Sequence, residues 1–477
     1  MTPYYADDWL TVWQGDCREV MASMAPESVH CVVTSPPYWG LRDYGTATWV
    51  GGDEACDHQR PVQPRNERPK GSFHGGTDDG DYAREPNYRD TCGRCGALRQ
   101  DGQLGLEPTP EAYVENMVAV FREVRRVLRS DGTVWLNLGD SYWNHSPVRS
   151  ASSDGWEKEW SGGLISEGPT QRRRANGHAT LKMKDLVGIP WRTAFALQAD
   201  GWYLRSDVIW SKPNPMPESV TDRPTKSHEY LFLLTKSPRY HFDADAVREP
   251  HTSGANTPEG LERRVAIGDP NRDRGSTKTS GDGKDRTKPP SRPPGYIGHV
   301  SGRNIRSVWT IATQPYPGAH FATFPRALVE PCIKAGTSEK GVCPECGAPW
   351  ERVTERADAL RESPAPRSVK IETTQGRSIR RGPGTTMSNS PTARVSATGT
   401  TTGWRSPCLC CADPRPDAPC IEHLPVPAIV LDPFAGSGTT GMVAQSLSRR
   451  AVLIDLNGEY LTQAMGRNRD IPLGLGA

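Results

Sequence analysis

Two short stretches of the 477-residue chain bring together residue types that can do chemistry. The first is Thr34-Ser35-Pro36-Pro37-Tyr38-Trp39-Gly40, directly after the apolar run 30–33. So stiff a corner is either a loop with a hydrophobic anchor or a rigid pocket for something flat. The second is Asp432-Pro433-Phe434-Ala435-Gly436-Ser437-Gly438-Thr439-Thr440-Gly441. Gly436, Gly438 and Gly441 carry the GxGxxG spacing between a strand and a helix, and Asp455 follows at about the 20-residue distance of a ribose-binding acid. Glycines let the backbone approach a nucleotide, although a plain tight strand–helix turn has the same spelling. Asp432 can bind an amino group and Phe434 can pack on adenine; S-adenosylmethionine carries both. Only about one βα unit follows Gly441, fewer than a nicotinamide domain uses.

Cysteines form a second kind of constellation. Nine of the twelve fall in two groups, while Cys17, Cys31 and Cys332 stand alone as buried small residues. In a reducing compartment clustered thiols point to metal rather than disulfides. Cys343-x-x-Cys346 followed by Gly reads as a zinc knuckle; its partners come from Cys408, Cys410, Cys411, Cys420 and His423, with Cys408 and Cys410 preferred. Cys56, His58, Cys92 and Cys95 read as a Cys₃His site. Four protein ligands leave no open position, so both sites are expected to be structural zinc, anchoring insertions too polar to form cores.

The elements that must position these residues are legible from periodicity. Residues 9–16 and 28–33 read as strands with a helix at 17–24 between them. Apolar residues at 113, 117, 120, 121, 124, 127 and 128 give a helix in 110–132, and 133–142 reads as a strong strand. A helix over 186–202 precedes strands at 203–212 and 228–237. Residues 324–336 are helical, and 428–468 read strand, Gly-rich turn, helix, strand, helix. Short apolar strands alternating with helices argue for an α/β sheet covered on both faces.

Formal net charge is +2, so no global field announces a partner and any basic surface is local. No apolar run approaches membrane-span length, and the N-terminus lacks the pattern of a signal peptide, so a cytoplasmic protein is expected.

The stretch 34–40 together with 432–441 resembles the amino-methylating DNA methyltransferases, in the class where the catalytic motif precedes the cofactor motif. Residues 14–21, 128–142 and 320–333 fall in the matching order, and the resemblance covers most of 9–53, 105–242, 303–336 and 428–468. It implies a Rossmann-like methyltransferase sheet with circularly permuted motif order. It also implies transfer of a methyl group from S-adenosylmethionine to an exocyclic amine of a base flipped out of double-stranded DNA. Ser35, Pro36, Pro37 and Tyr38 match the catalytic motif; Ser35 and the Pro36 carbonyl can accept the amine hydrogens, and Tyr38 can stack on the base. Asp432, Phe434, Gly436, Gly438 and Thr439 match the methionine and adenine cradle, and Asp455 the ribose acid. Asp16 matches a residue near adenine, with a helix N-cap as its other reading. Phe321 and Phe324 match the cofactor-flanking segment. Serine at position 35 resembles cytosine-N4 enzymes; Asp or Asn there would resemble adenine-N6 enzymes, the alternative target.

The resemblance assigns 1–53, 105–242, 315–336 and 425–477 to the catalytic core. Residues 54–104 and 337–424 are the zinc-binding insertions, and 243–314 is a flexible basic target-recognition segment. Nine Lys and Arg residues between Arg263 and Arg292 can lie along phosphates, with 171–174 as a second candidate. Lys212 and Asn214 can line the base pocket. Competing classes are an NAD-dependent oxidoreductase, an RNA or protein methyltransferase, and a catalytically silent zinc-bearing DNA-binding protein.

Overall fold

The computed structural model describes residues 2–40, 46–58, 91–100, 102–143, 178–250, 302–314, 324–358, 396–406, 408, 410 and 424–469. They divide into two units: residues 1–241, 307–336 and 427–477, and residues 242–306 and 337–426.

The first unit begins with β1 (Tyr5–Ala6), β2 (Leu10–Gln14), α1 (Cys17–Ser23) and β3 (Val29–Thr34). A small antiparallel pair, β4 (Thr48–Val50) and β5 (Leu98–Gln100), leads to α2 (Pro110–Val127) and β6 (Leu128–Leu138). Then come α3 (Ile189–Ala199), β7 (Tyr203–Ser211), β8 (His228–Thr235), β9 (Val308–Thr310) and α4 (Arg326–Gly336). The second unit contributes the antiparallel pair β10 (Glu351–Asp358) and β11 (Ser396–Arg405). The chain returns to the first unit for β12 (Ile429–Asp432), α5 (Thr439–Ser446), β13 (Arg450–Asp455) and α6 (Gly458–Asn468).

Nine of these strands form one sheet in the order β1-β2-β13-β12-β3-β6-β8-β7-β9. The pairs from β2 through β6 are parallel, and β8 runs antiparallel to both β6 and β7. Two strands from the end of the chain are thus inserted between two from its beginning. That insertion puts the ends of β3 and β12, which carry the two motifs, side by side.

Helix α2 shows why these residues form these elements. Thr109 caps it by accepting from Ala112 N at 3.2 Å, Pro110 opens it, and the predicted stripe Tyr113, Met117, Val120, Phe121, Val124 and Val127 is buried. Together with α1 and α3 it covers the sheet face that carries Val32 and Val134. Side chains alternate along a strand, so Cys31 and Thr133 face the other way, and there they meet Gly336 of α4. Helices therefore cover both faces. Cys17, Cys31 and Cys332 are all buried.

Several expectations are corrected in detail. The strand expected at 133–142 pairs over Leu128–Leu138, starting directly from α2, with a register shift between Val29↔Leu128 and Cys31↔Thr133. Both ends of the segment expected to be flexible, 243–314, are paired: Glu249 bridges Arg303, and Val308–Thr310 is an edge strand of the large sheet. Trp309, buried against Trp135, supplies the apolar anchor there. The nine basic residues lie outside the described residues. No described helix is long and apolar enough to cross a membrane.

Candidate active site

The two motifs are tied to each other. Thr34, the last residue of β3, donates its hydroxyl to Asp432 Oδ1 at 2.6 Å. Thr440, in the first turn of α5, donates its hydroxyl to Asp432 Oδ2 at 2.7 Å and lies 3.1 Å from the Val33 carbonyl. Phe434 N donates to Asp432 Oδ1 at 3.1 Å. Asp432 is fully buried, and burial pushes its carboxyl up to about 6 against the pull of the Thr34, Thr440 and Phe434 donors. In this position Asp432 is an internal fastener of both loops. Thr440, which the motif reading passed over, makes the contact to β3. Thr439 turns toward α6, where it accepts from Arg467 at 3.2 Å.

The glycine turn is built around Asp455 at the end of β13. Its Oδ2 accepts from Gly436 N at 2.8 Å and its Oδ1 from Asn457 N at 2.9 Å. Burial raises its carboxyl above the ordinary value, opposed by these N–H donors. Gly438 takes φ +75°, and a Cβ there would lie 2.6 Å from Asn468 Nδ2 and 2.8 Å from Ala464 Cβ. Only glycine suits both the backbone and the space. An open cleft of about 710 Å³ begins at Leu456 and is lined by Tyr4, Gln14, Asn457 and Glu459. Asp16 caps α1, accepting from Arg18 N at 2.8 Å, at the end of the strand that pairs with β13. Phe324 stands half-buried just before α4, and Phe321 lies outside the described residues.

The proline corner is equally fixed. Tyr113 donates its hydroxyl to the Pro37 carbonyl at 3.0 Å, and Trp39 Nε1 donates to the Glu107 carbonyl at 2.9 Å. The Tyr38 ring lies on Gly139, where an added Cβ would come within 2.5 Å of it. Its hydroxyl donates to Glu229 Oε2 at 2.8 Å and accepts from Asn137 Nδ2 at 2.7 Å. Ser35 donates to the Tyr38 oxygen at 3.3 Å. Lys212 pairs with Glu229 Oε1 and sits 4.3 Å over the Trp210 ring. The structure thus brings Lys212 to the corner, whereas Asn214 accepts from Thr313 N at 3.0 Å instead. Asn137 and Glu229 are contributions that sequence reading missed.

Two clusters gather groups able to hold a metal: Cys56, His58, Cys92 and Cys95, and Cys343, Cys346, Cys408 and Cys410. Both contain the same turn. Gly96 N donates to the Cys92 carbonyl and Gly347 N to the Cys343 carbonyl, each at 2.9 Å. Cys92 N donates to the Ala97 carbonyl at 2.8 Å and Cys343 N to the Ala348 carbonyl at 2.9 Å.

A nucleotide-type glycine turn pinned beside a Ser-Pro-Pro-Tyr corner defines a class, and sequence comparison agrees with it. The chain belongs to the DNA methylase family, the amino-methylating N6/N4 type, whose profile matches residues 29–343 and 422–466. Relatives include the Type II methyltransferase M.SmaI of Serratia marcescens, 30% identical over 95% of this chain and 88% of that protein. M.Cfr9I of Citrobacter freundii is 36% identical over 69% of this chain and 72% of its own. M.XycI of Xanthomonas campestris pv. cyanopsidis is 31% identical over 96% and 87%.

Proposed function

We propose that the chain methylates an exocyclic amino group of a base flipped out of double-stranded DNA, with cytosine N4 the preferred target, and does so in the cytoplasm. The observation that carries this reading is the Thr34–Asp432–Thr440 fastening, which holds the Ser35 corner against the glycine turn. S-adenosylmethionine fits the donor set: Gly436 and Gly438 let backbone approach it, Phe434 offers a ring, and Asp455 stands next to the cleft that begins at Leu456. When bound, it supplies an electrophilic methyl group. Ser35 and the Pro36 carbonyl accept the amine's hydrogens and turn its lone pair outward, and Tyr38 stacks on the base. Proline lacks an N–H and fixes φ, so the corner presents aimed acceptors. A hydroxyl at position 35, rather than a carboxylate or amide, supports cytosine over adenine. The order of the motifs, catalytic strand before cofactor strand, supports a permuted methyltransferase core with residues 243–314 in target recognition.

The test is to express the protein in a host lacking this modification, hydrolyse the DNA to nucleosides and map the modified positions. N4-methylcytosine in one sequence context is the expected product. N6-methyladenine alone would replace the target base in this reading, and unmodified DNA from folded protein would remove the reading.

Structural zinc belongs to the same proposal. Tetrahedral zinc with Zn–S near 2.3 Å and Zn–N near 2.0–2.1 Å sets ligand edges of about 3.8 Å for S···S and about 3.6 Å for S···N. Cys56 and Cys92 are 3.8 Å apart, and Cys95 Sγ lies 3.5 Å from His58 Nδ1. Cys410 lies 3.4 Å from Cys343 and 3.7 Å from Cys346. Metal analysis of the purified protein is expected to find one zinc for each of the two clusters. Cys92→Ser and Cys343→Ser should each lose one of them, and metal-free wild-type protein would refute the assignment.

A further inference from the structure

Glu229 stands on β8, and its side chain is only 16% exposed. A carboxylate so placed is costly unless its oxygens are satisfied. Tyr38 and Asn137 donate to Oε2 at 2.8 and 2.9 Å, and Lys212 holds Oε1. The arrangement does more than bury a charge, because a carboxylate is acceptor-only.

Whatever touches Glu229 must donate to it. The Tyr38 hydroxyl proton is therefore committed to Oε2, and the Asn137 amide must present its NH₂. The Tyr38 oxygen, its proton spent, can only accept, from Asn137 Nδ2 and from the Ser35 hydroxyl. Ser35 thus has its own proton turned inward; Asn137 Nδ2 makes a long contact of 3.5 Å to its oxygen, and a lone pair is left for an N–H that arrives. Had the chain of hydrogen bonds run the other way, one Ser35 lone pair would be spent on Tyr38 and its proton would be free to face the amine.

We propose that Glu229 is a positioning residue that fixes the direction Ser35→Tyr38→Glu229, so that Ser35 presents an acceptor to the target amine. The inference rests on the methyltransferase reading and names the group that sets the polarity of its catalytic corner. Burial and the Glu229 charge also hold the Tyr38 phenol well above its ordinary range, which keeps it a donor throughout.

Glu229→Gln tests this on the full-length protein. Glutamine is nearly isosteric but can donate as well as accept, so the direction is no longer imposed. The turnover rate should fall by about 100-fold, the scale of one positioned proton-handling group. The KM for DNA and the Kd for S-adenosylmethionine should each move by less than about threefold, and the melting temperature by less than about 4 °C. A merely structural role would move the latter set instead. Glu229→Asp, still acceptor-only, should recover most of the lost rate, and it keeps the test open should the amide variant unfold. In a Tyr38→Phe background the link is already cut, so adding Glu229→Gln should cost less than about threefold more. Turnover of Glu229→Gln within about threefold of wild type, or effects that multiply in the double variant, would overturn the inference. Wild-type protein that methylates no DNA would instead remove the reading beneath it.

Discussion

Replacing Tyr38 with alanine is expected to lower methylation by about 10³-fold or more, through two losses that act on the same base. Base–aromatic stacking is worth about 1–3 kcal/mol, or roughly 5- to 150-fold. Breaking the hydroxyl link between Ser35 and Glu229 removes about another 100-fold. The protein should nevertheless stay folded. Tyr38 is half-buried on Gly139, and the groups it leaves behind keep partners: Asn137 still donates to Glu229 at 2.9 Å, and Lys212 still pairs with it. A loss of about 1–3 kcal/mol is small beside the stability of a typical domain. Incorporation of labelled methyl groups into DNA, with melting temperatures measured in parallel, separates the two effects. Tyr38→Phe, which keeps the ring, should retain the stacking share and lose only the hydroxyl share. Methylation by the alanine variant within tenfold of wild type would remove Tyr38 from the reacting centre.

Local chemistry was legible in the sequence because it is written in short spacings. The α2 stripe, the glycine turn and the two Cys-x-x-Cys-Gly knuckles each need only a few neighbouring residues. The structure gathers Cys408 and Cys410 with Cys343 and Cys346, while Cys411, Cys420 and His423 lie outside the described residues. What could not be read is whatever depends on strand order. Asn137 and Glu229 reach the Ser35–Tyr38 corner because β6 lies between β3 and β8, so the C-terminal ends of β3 and β6 meet the start of antiparallel β8. No pattern within a strand reports which strand lies beside it. Likewise Thr439 and Thr440 are adjacent in a motif, and only the helix's rotation decides that Thr440 faces β3 while Thr439 faces α6. Asp432 shows the same limit. Its residue type suggested a group offered to a ligand, whereas the fold surrounds it with hydroxyls 398 residues and 8 residues away in the chain.

That burial makes Asp432 the site of the second large effect. Asp432→Ala leaves the Thr34 and Thr440 hydroxyls and the Phe434 N–H without their acceptor, a cost of about 1–3 kcal/mol for each donor that finds no other. The motif loops then lose their common fastener, so S-adenosylmethionine binding and methylation should both fall below detection while the nine-stranded sheet persists. Asp432→Asn is the more informative variant, because one amide oxygen can still accept where two carboxylate oxygens did. Its signature is in the pH dependence of stability. The wild-type carboxyl has a folded-state value of about 6, above its value of 3.8 in an unfolded chain. Between those limits the native state binds more protons than the unfolded state, so this group's contribution is fully present below 3.8 and is lost as pH rises through about 6. The span corresponds to roughly 3 kcal/mol. Denaturant titrations from pH 4 to 7 should therefore show this component in the wild type and lack it in Asp432→Asn. Identical pH profiles in the two proteins would mean that burial does not raise the Asp432 carboxyl in the native state.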